Sequence, residues 1–110
     1  MARYGYARVS STGQDLGLQR DALRAAGCEI IREEKLSGTS RSGRQELETL
    51  LEFLRAGDEL VVTRLDRLAR SMEDLTGIAA ELQAKGVSLK ATEQPVDTSS
   101  AAGKAFFQML

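Results

Sequence analysis

The chain has 110 residues, of which 42% are hydrophobic and 28% are charged, a composition typical of one globular domain rather than of a disordered or membrane-spanning chain. Its net charge of −1 argues against a simple nucleic-acid-binding domain, because such a domain holds phosphates with a surplus of Lys and Arg. One cysteine and no histidine exclude an internal disulfide, the usual zinc sites and a Ser-His-Asp arrangement.

The first predicted element is a strand over residues 3–9, which ends in the sequence YARVS. Successive side chains of a strand point to opposite sides, so Tyr6, Arg8 and Ser10 share one side. The pattern therefore predicts that an arginine and a serine project together from the end of this strand.

A helix and a second strand are predicted next. After the polar turn SSTGQD, the spacing of one helical face is shown by Leu18, Ala22, Leu23 and Ala26. Gly27 stands where a helix C-cap would, and we expect Cys28, directly after it, to be a small buried hydrophobe. The second strand is predicted over residues 29–35.

The middle of the chain predicts a loop, a helix and a third strand. The Ser- and Gly-rich segment LSGTSRSG, residues 36–43, is expected to form a mobile surface loop. An amphipathic helix that ends at Gly57 is indicated by Leu47, Leu50, Leu51 and Leu54. The apolar residues 60–62 predict a buried strand, which the arginine-rich sequence TRLDRLAR follows.

The last part of the chain completes an alternating pattern. Ser71 followed by Asp74 predicts a helix N-terminus, and residues 87–91 alternate as a fourth strand. The buried stripe of this third helix would consist of Leu75, Ile78, Ala79 and Leu82. A further helix is predicted from Ala101. The order of elements predicts an α/β fold of three layers, with a mostly parallel central sheet of four or five strands flanked by helices.

Polar side chains collect at one predicted edge of this sheet. The carboxyl ends of parallel strands lie together, so we expect Arg8 and Ser10 near the residues that follow the third strand. Those residues include Asp66 and three arginines at a spacing of three, namely Arg64, Arg67 and Arg70. Guanidinium groups bind phosphate through paired hydrogen bonds, and a serine can supply an attacking oxygen. The residues therefore predict a phosphate-handling serine site.

Ordinary structural roles compete with this interpretation. A single serine at a strand end serves in a turn or cap more often than in chemistry, by roughly ten to one, and surface arginines are commonly paired with a nearby acid such as Asp66. Tyr6 alone would be a core residue, Arg44 a surface residue, Gln14 a loop residue and Gln19 an exposed helix residue. The phosphate site is favoured by the joint placement at one edge of Arg8, Ser10, Arg67 and Arg70.

Two motifs in a fixed order, YARVS and LDRLARS, resemble the catalytic domain of the serine recombinases of the resolvase and invertase type. Gln14, Gln19, the sequence KLSG and Arg44 add to the resemblance, which covers the whole chain. Either motif alone is weak, but the ordered pair is specific. The resemblance implies a catalytic domain over residues 1–100, the start of a long oligomerisation helix at residues 101–110, and a C-terminal DNA-binding domain that family members have beyond this chain.

The resemblance also implies a reaction. A serine hydroxyl would attack a DNA phosphate and form a covalent 5′-phosphoserine intermediate, with no metal and no cofactor, so that DNA is broken and rejoined in site-specific recombination. By position, the catalytic residues would be Ser10, Arg8, Arg67, Arg70, Arg44 and Asp66. The supporting or phosphate-binding residues would be Tyr6, Gln14, Gln19, Ser37, Asp58 and Arg64.

Partners and location follow from the same resemblance. The partner would be double-stranded DNA at a specific recombination site, and the full-length protein would form a homodimer that assembles to a homotetramer. This fragment alone is expected not to recombine DNA. No apolar run approaches the roughly 20 residues of a membrane span, and the N-terminus lacks a signal peptide. We therefore expect a cytoplasmic protein, associated with the bacterial nucleoid or a mobile element, with no membrane partner.

Two alternatives remain open at this point. The chain could be a regulatory domain that binds phosphate or a nucleotide, although SSTGQD carries one glycine and no GxGxxG follows the first strand. It could also be a degenerate recombinase domain that is retained for oligomerisation. The intact set of serine and arginines argues against the second alternative.

Overall fold

A computed structural model describes residues 2–9, 14–35, 45–69, 71–101 and 105. The strands are β1 (Arg3–Val9), β2 (Ile30–Lys35), β3 (Glu59–Val62) and β4 (Ser88–Ala91). The helices are α1 (Gln14–Ala25), α2 (Gln45–Phe53) and α3 (Met72–Lys85), with a short 3₁₀-helix (Leu65–Arg67) between β3 and α3. Ala101 and Ala105 are helical. No helix in these ranges is long and apolar enough to cross a membrane.

The four strands form one parallel sheet in the order β2-β1-β3-β4, which confirms the predicted fold class. The chain leaves β1 towards β2 at one side, whereas it leaves β3 towards β4 at the other. The carboxyl ends of β1 and β3 are therefore the topological switch point, the place where open α/β sheets bind their ligands. Strand order is not visible in the sequence, so this placement is a result of the structure.

The helices cover both faces of the sheet and make three layers. On one face α1 contributes Leu23 to a small buried cluster with Ala7 and Val61. On the other face the larger core joins α2, α3 and the strands, and it contains the four leucines predicted for the second helix: Leu47, Leu50, Leu51 and Leu54. The split follows from strand alternation, since Tyr6 lies in the larger core and Ala7 in the smaller one.

The buried face of α1 differs from the prediction. Leu18, which was expected to be buried, is 70% exposed, and Gln19 beside it is 3% exposed. Leu16 and Leu23 flank Gln19 on the inward side, so the helix is rotated relative to the one that apolar spacing alone predicts. A polar side chain is accepted inside because its hydrogen bonds are satisfied there, as the site described below shows.

Local helix signals are confirmed at α3. The hydroxyl of Ser71 accepts a hydrogen bond of 3.1 Å from the backbone N–H of Asp74, so Ser71 is the predicted N-cap. The helix ends at Gly86, whose φ of 75° lies in the left-handed region that favours glycine. The Ser71 signal acts over a few residues, which is why the sequence alone reveals it.

Candidate functional site

The site is built on a turn that follows β3 at the switch point. Residues 64–69, which we call the arginine turn, contain the 3₁₀-helix and two of the predicted arginines. Leu65, Leu68 and Ala69 are buried and anchor the turn to the core, with exposed fractions of 7%, 0% and 7%. Asp66 and Arg67 lie between these anchors, with Asp66 exposed and Arg67 half-buried. Apolar packing therefore holds the turn while its polar residues remain at least partly exposed.

Arg8 joins the end of β1 to the arginine turn. Its side chain is 9% exposed, and Nη2 donates a hydrogen bond of 2.5 Å to the backbone carbonyl of Asp66 and one of 3.5 Å to that of Ala69. Arginine stays charged at any working pH, so this contact brings a buried positive charge to the switch point. The predicted meeting of Arg8 with the residues after the third strand is present in the structure.

Gln19 fixes the backbone of Arg8 from the other face of the sheet. Its Oε1 accepts a hydrogen bond of 3.1 Å from the N–H of Arg8, and its Nε2 donates one of 3.0 Å to the carbonyl of Arg8. Gln19 is therefore a buried helix residue, and both polar atoms of its amide contact the predicted site residue Arg8. A supporting role for Gln19 is consistent with this geometry.

Arg64 and Asp66 form an ion pair at the surface. The Nε of Arg64 lies 3.1 Å from Oδ1 of Asp66, and their side chains are 48% and 67% exposed. Arg64 also lies 4.0 Å from a carboxylate oxygen of Glu93. Exposed pairs of this kind contribute at most about 1 kcal/mol to stability. The contact places the carboxylate of Asp66 beside the first arginine of the turn.

Glu34 was not anticipated from the sequence, although it organises the site next to Arg8. This carboxylate is 7% exposed, and its Oε1 accepts a hydrogen bond of 2.5 Å from the hydroxyl of Tyr6 and one of 3.2 Å from the N–H of Leu47. Leu47 lies in the first turn of α2, where a negative charge is favourable. No clear signal for this burial is present in the sequence, because Ile30 and Arg32, which share a side of β2 with Glu34, are exposed and half-buried, respectively.

Glu34 and its partner Leu47 lie on either side, in sequence, of a predicted part of the site. Residues 36–44 lie between β2 and α2 in sequence, and this segment carries Ser37 and Arg44. Glu34 comes just before the segment and Leu47 just after it, so their hydrogen bond ties the two flanks together. Tyr6, on β1, links this tie to the strand that carries Arg8.

Asp58 lies at the opposite edge of the sheet, before the first residue of β3. Its Oδ1 accepts a hydrogen bond of 3.2 Å from the N–H of Ala2, and its Oδ2 accepts one of 3.0 Å from the N–H of Arg55. The structure therefore does not bring Asp58 together with Arg8 and the arginine turn. Its observed contacts support the turn that leads into β3.

Several predicted site residues lie outside the described part of the chain. These are Ser10, Ser37, Arg44 and Arg70, together with the side chain of Gln14. The predicted mobility of residues 36–43 likewise falls outside it. Within the ranges that are described, no cluster of three or more Cys, Asp or Glu side chains could hold a metal ion.

Comparison with known proteins identifies the family. Residues 3–110 match the family described as "Resolvase, N terminal domain". The chain is 61% identical over 110 residues to the integrase-like protein y4lS of Sinorhizobium fredii, covering all of this chain and 60% of that protein. It is 47% identical over 106 residues to the serine recombinase gin of Escherichia phage Mu, covering 96% of this chain and 54% of that protein. The chain thus spans little more than half the length of these relatives.

A solved structure agrees with this assignment. The crystal structure of the N-terminal catalytic domain of TP901-1 integrase superposes with a TM-score of 0.79 at 27% identity, and the match covers 99% of this chain and 90% of that one. The similarity extends over nearly the whole of both chains, so it concerns the complete α/β domain and not a single motif.

Proposed function

The chain belongs to the resolvase family, and from that membership we propose that it is the catalytic domain of a serine recombinase that breaks and rejoins DNA at a specific site. The observation that carries the proposal is the contact of Arg8 with the arginine turn at the switch point. This contact places positive charge at the carboxyl end of β1, and Ser10 is the next residue in the sequence. Charge of this kind, held in place before the reaction, is what a phosphoryl transition state requires.

The proposed reaction is a transesterification. The hydroxyl oxygen of Ser10 forms a bond to the phosphorus of a DNA phosphodiester, the bond from phosphorus to O3′ breaks, the serine proton leaves and O3′ gains a proton. One ester is exchanged for another, so the bond can be resealed by the reverse attack without an external energy source. The result is a 5′-phosphoserine link and a free 3′-hydroxyl.

The arginines supply the charge in this proposal. Arg8, Arg67 and Arg70 act at the scissile phosphate. Arg44, which lies between Glu34 and Leu47 in the sequence, acts with them. The guanidinium group of arginine forms paired hydrogen bonds with phosphate oxygens and needs no metal for that contact. Asp66 orients Arg64, while Tyr6 and Gln19 hold the strand end in place. Activity in the presence of a strong chelator is the expected result for this mechanism.

The proposed assembly extends beyond the chain. The helix that includes Ala101 would start a longer oligomerisation helix, residues 1–100 would form the catalytic domain, and a DNA-binding domain would follow. A homodimer would bind double-stranded DNA at the recombination site and pair into a homotetramer. The protein would act in the cytoplasm on a bacterial chromosome or a mobile element.

The proposal is tested by trapping the covalent intermediate. The protein in its full natural length is incubated with fragmented genomic DNA of its source, denatured, and examined by mass spectrometry for a nucleotide attached to Ser10. Sequencing of the attached DNA identifies the site. We expect an adduct that Ser10→Ala abolishes and that the matched variant Ser11→Ala leaves in place.

The other outcomes distinguish the alternatives. An adduct that persists in Ser10→Ala would place the nucleophile elsewhere. Specific DNA binding without any adduct would favour a degenerate recombinase domain kept for oligomerisation. Binding of a free nucleotide at the arginine turn, with no affinity for DNA, would favour the regulatory domain.

A further inference from the structure

A side chain from a distant part of the sequence holds the first residue of the arginine turn. The backbone N–H of Leu65 donates a hydrogen bond of 2.7 Å to Oε1 of Gln94. Leu65 starts the 3₁₀-helix, where a backbone N–H has no partner within the helix, and the preceding Arg64 makes no side-chain cap. Gln94 supplies the acceptor that this helix start lacks.

Gln94 is itself held by the backbone around it. It lies in the turn formed by residues 92–97, which we call the 92–97 turn. The N–H groups of Thr92 and Glu93 donate hydrogen bonds of 2.9 Å each to the carbonyls of Val62 and Thr63, so the chain after β4 runs beside the chain after β3. Val96, 1% exposed, fixes the other end of the turn in the core. The amide of Gln94 is therefore presented from an anchored backbone.

Two polar anchors thus act on the arginine turn from different sides. Gln94 accepts from the N–H of Leu65 at its start, whereas Arg8 donates to the carbonyls of Asp66 and Ala69 further along. Together they fix the position and the rotation of the short helix that carries Arg67. Without the Gln94 acceptor the N–H of Leu65 would lose its hydrogen bond, and we expect that Arg67 would then sample a wider range of positions.

We infer that Gln94 is a positioning residue for DNA cleavage, which acts through the N–H of Leu65 and the arginine turn rather than by contact with DNA. The inference rests on the proposed function, since it assigns a role in that reaction. Stabilisation of a transition state depends on donors that are held in place before the reaction, so a looser turn lowers the rate of bond breaking more than the affinity for DNA.

The test compares two variants in the protein of full natural length. Gln94→Met keeps the length of the side chain and removes the amide acceptor, whereas Gln94→Glu keeps an oxygen acceptor at the same reach. The rate of adduct formation is measured in a single turnover at saturating DNA, and the Kd for DNA is measured separately. Gln83, on the exposed side of α3, provides the matched control Gln83→Met.

We expect Gln94→Met to lower the saturating rate about tenfold, as the loss of one hydrogen bond predicts, while its Kd changes less than about twofold. Gln94→Glu is expected to keep the saturating rate and to raise the Kd, because it adds a negative charge near the DNA. Gln83→Met should match the unmodified protein in both quantities. Equal losses of rate in the Met and Glu variants, or no loss in Gln94→Met, would overturn the inference.

Amide hydrogen exchange at Leu65, measured by NMR without DNA, separates this inference from the proposed function. We expect Gln94→Met to lose about tenfold in protection at Leu65 and Gln94→Glu to retain it. Unchanged protection in Gln94→Met would show that Gln94 does not hold the turn. A missing Ser10 adduct in the unmodified protein would instead overturn the proposed function, and the role of Gln94 in cleavage with it, whatever Leu65 shows.

Discussion

Arg8 and Arg64 both belong to the candidate site, but their surroundings screen their charges to different extents. Arg8 is 9% exposed and donates to backbone carbonyls, whereas Arg64 is 48% exposed and faces two carboxylates. Solvent and salt screen an exposed charge strongly and a buried one much less. The charge of Arg8 is therefore screened less than that of Arg64.

Cys28 illustrates how the surroundings of a residue, partial burial above all, set its chemistry. The pKa of its thiol is raised from the ordinary value of 9.0 to about 11, mainly by burial and also by the carboxylate of Glu59, while Arg3 and Lys90 oppose the shift. The thiolate is the reactive form, so we predict that iodoacetamide alkylates Cys28 about 100-fold more slowly at pH 8 in the native protein than in the unfolded chain. Mass spectrometry of a time course measures both rates.

The same shift predicts a dependence of stability on pH. The folded pKa lies above the unfolded one, so the contribution of the protonated thiol is complete below about pH 9 and is lost as the pH rises towards 11. The variant Cys28→Ala should lack this alkaline component. Native and unfolded chains that react at equal rates would contradict the predicted environment of Cys28.

At the scale of the elements, the hydrogen bonds of Glu34 join β1, β2 and α2. The variant Tyr6→Phe keeps the packing of the ring and removes the hydroxyl that donates to the buried carboxylate. We predict that it lowers the free energy of unfolding by about 1.5–3 kcal/mol, the usual worth of a hydrogen bond to a charged group. Urea unfolding followed by circular dichroism measures the difference.

Tyr4 supplies the matched control for this prediction. It lies two residues before Tyr6 on the same strand and packs half-buried against the same core. Tyr4→Phe should change stability by no more than about 0.5 kcal/mol, as for most substitutions away from buried polar networks. A Tyr6→Phe variant as stable as Tyr4→Phe would mean that the Glu34 contact contributes nothing to the fold.

The elements also show what the sequence can and cannot predict. The leucines of α2 and the cap of α3 were predicted correctly, because these signals repeat within one or two turns of a helix. The buried side of α1 was predicted wrongly at Leu18, since apolar spacing gave no sign that Gln19 would be buried. Gln19, Glu34 and Gln94 each bond to backbone or side chains 11 or more residues away, and local periodicity does not report such contacts.

At the scale of the whole molecule, strand order decides where the site lies. The sequence predicted that polar residues gather at the carboxyl edge, but the pairing of β1 with β3 is what places Arg8 beside the arginine turn. That pairing joins residues more than 50 positions apart, beyond the reach of any local pattern. The same topology separates this edge from the amino edge of the sheet, where Asp58 lies.

From this separation we predict that Asp58 affects stability and not chemistry. The variant Asp58→Ala removes acceptors for the N–H groups of Ala2 and Arg55, so we predict a loss of about 1–3 kcal/mol in the free energy of unfolding. Because the arginine turn lies at the other edge, the saturating rate of adduct formation should stay within about twofold of the unmodified protein. Asp58→Asn, which keeps one carbonyl oxygen, should recover part of the stability. Arg67→Gln is the opposite case, in which we expect the rate to fall and the stability to hold. A slow Asp58→Ala variant that is fully folded would show that Asp58 contributes to the reaction and would contradict this prediction.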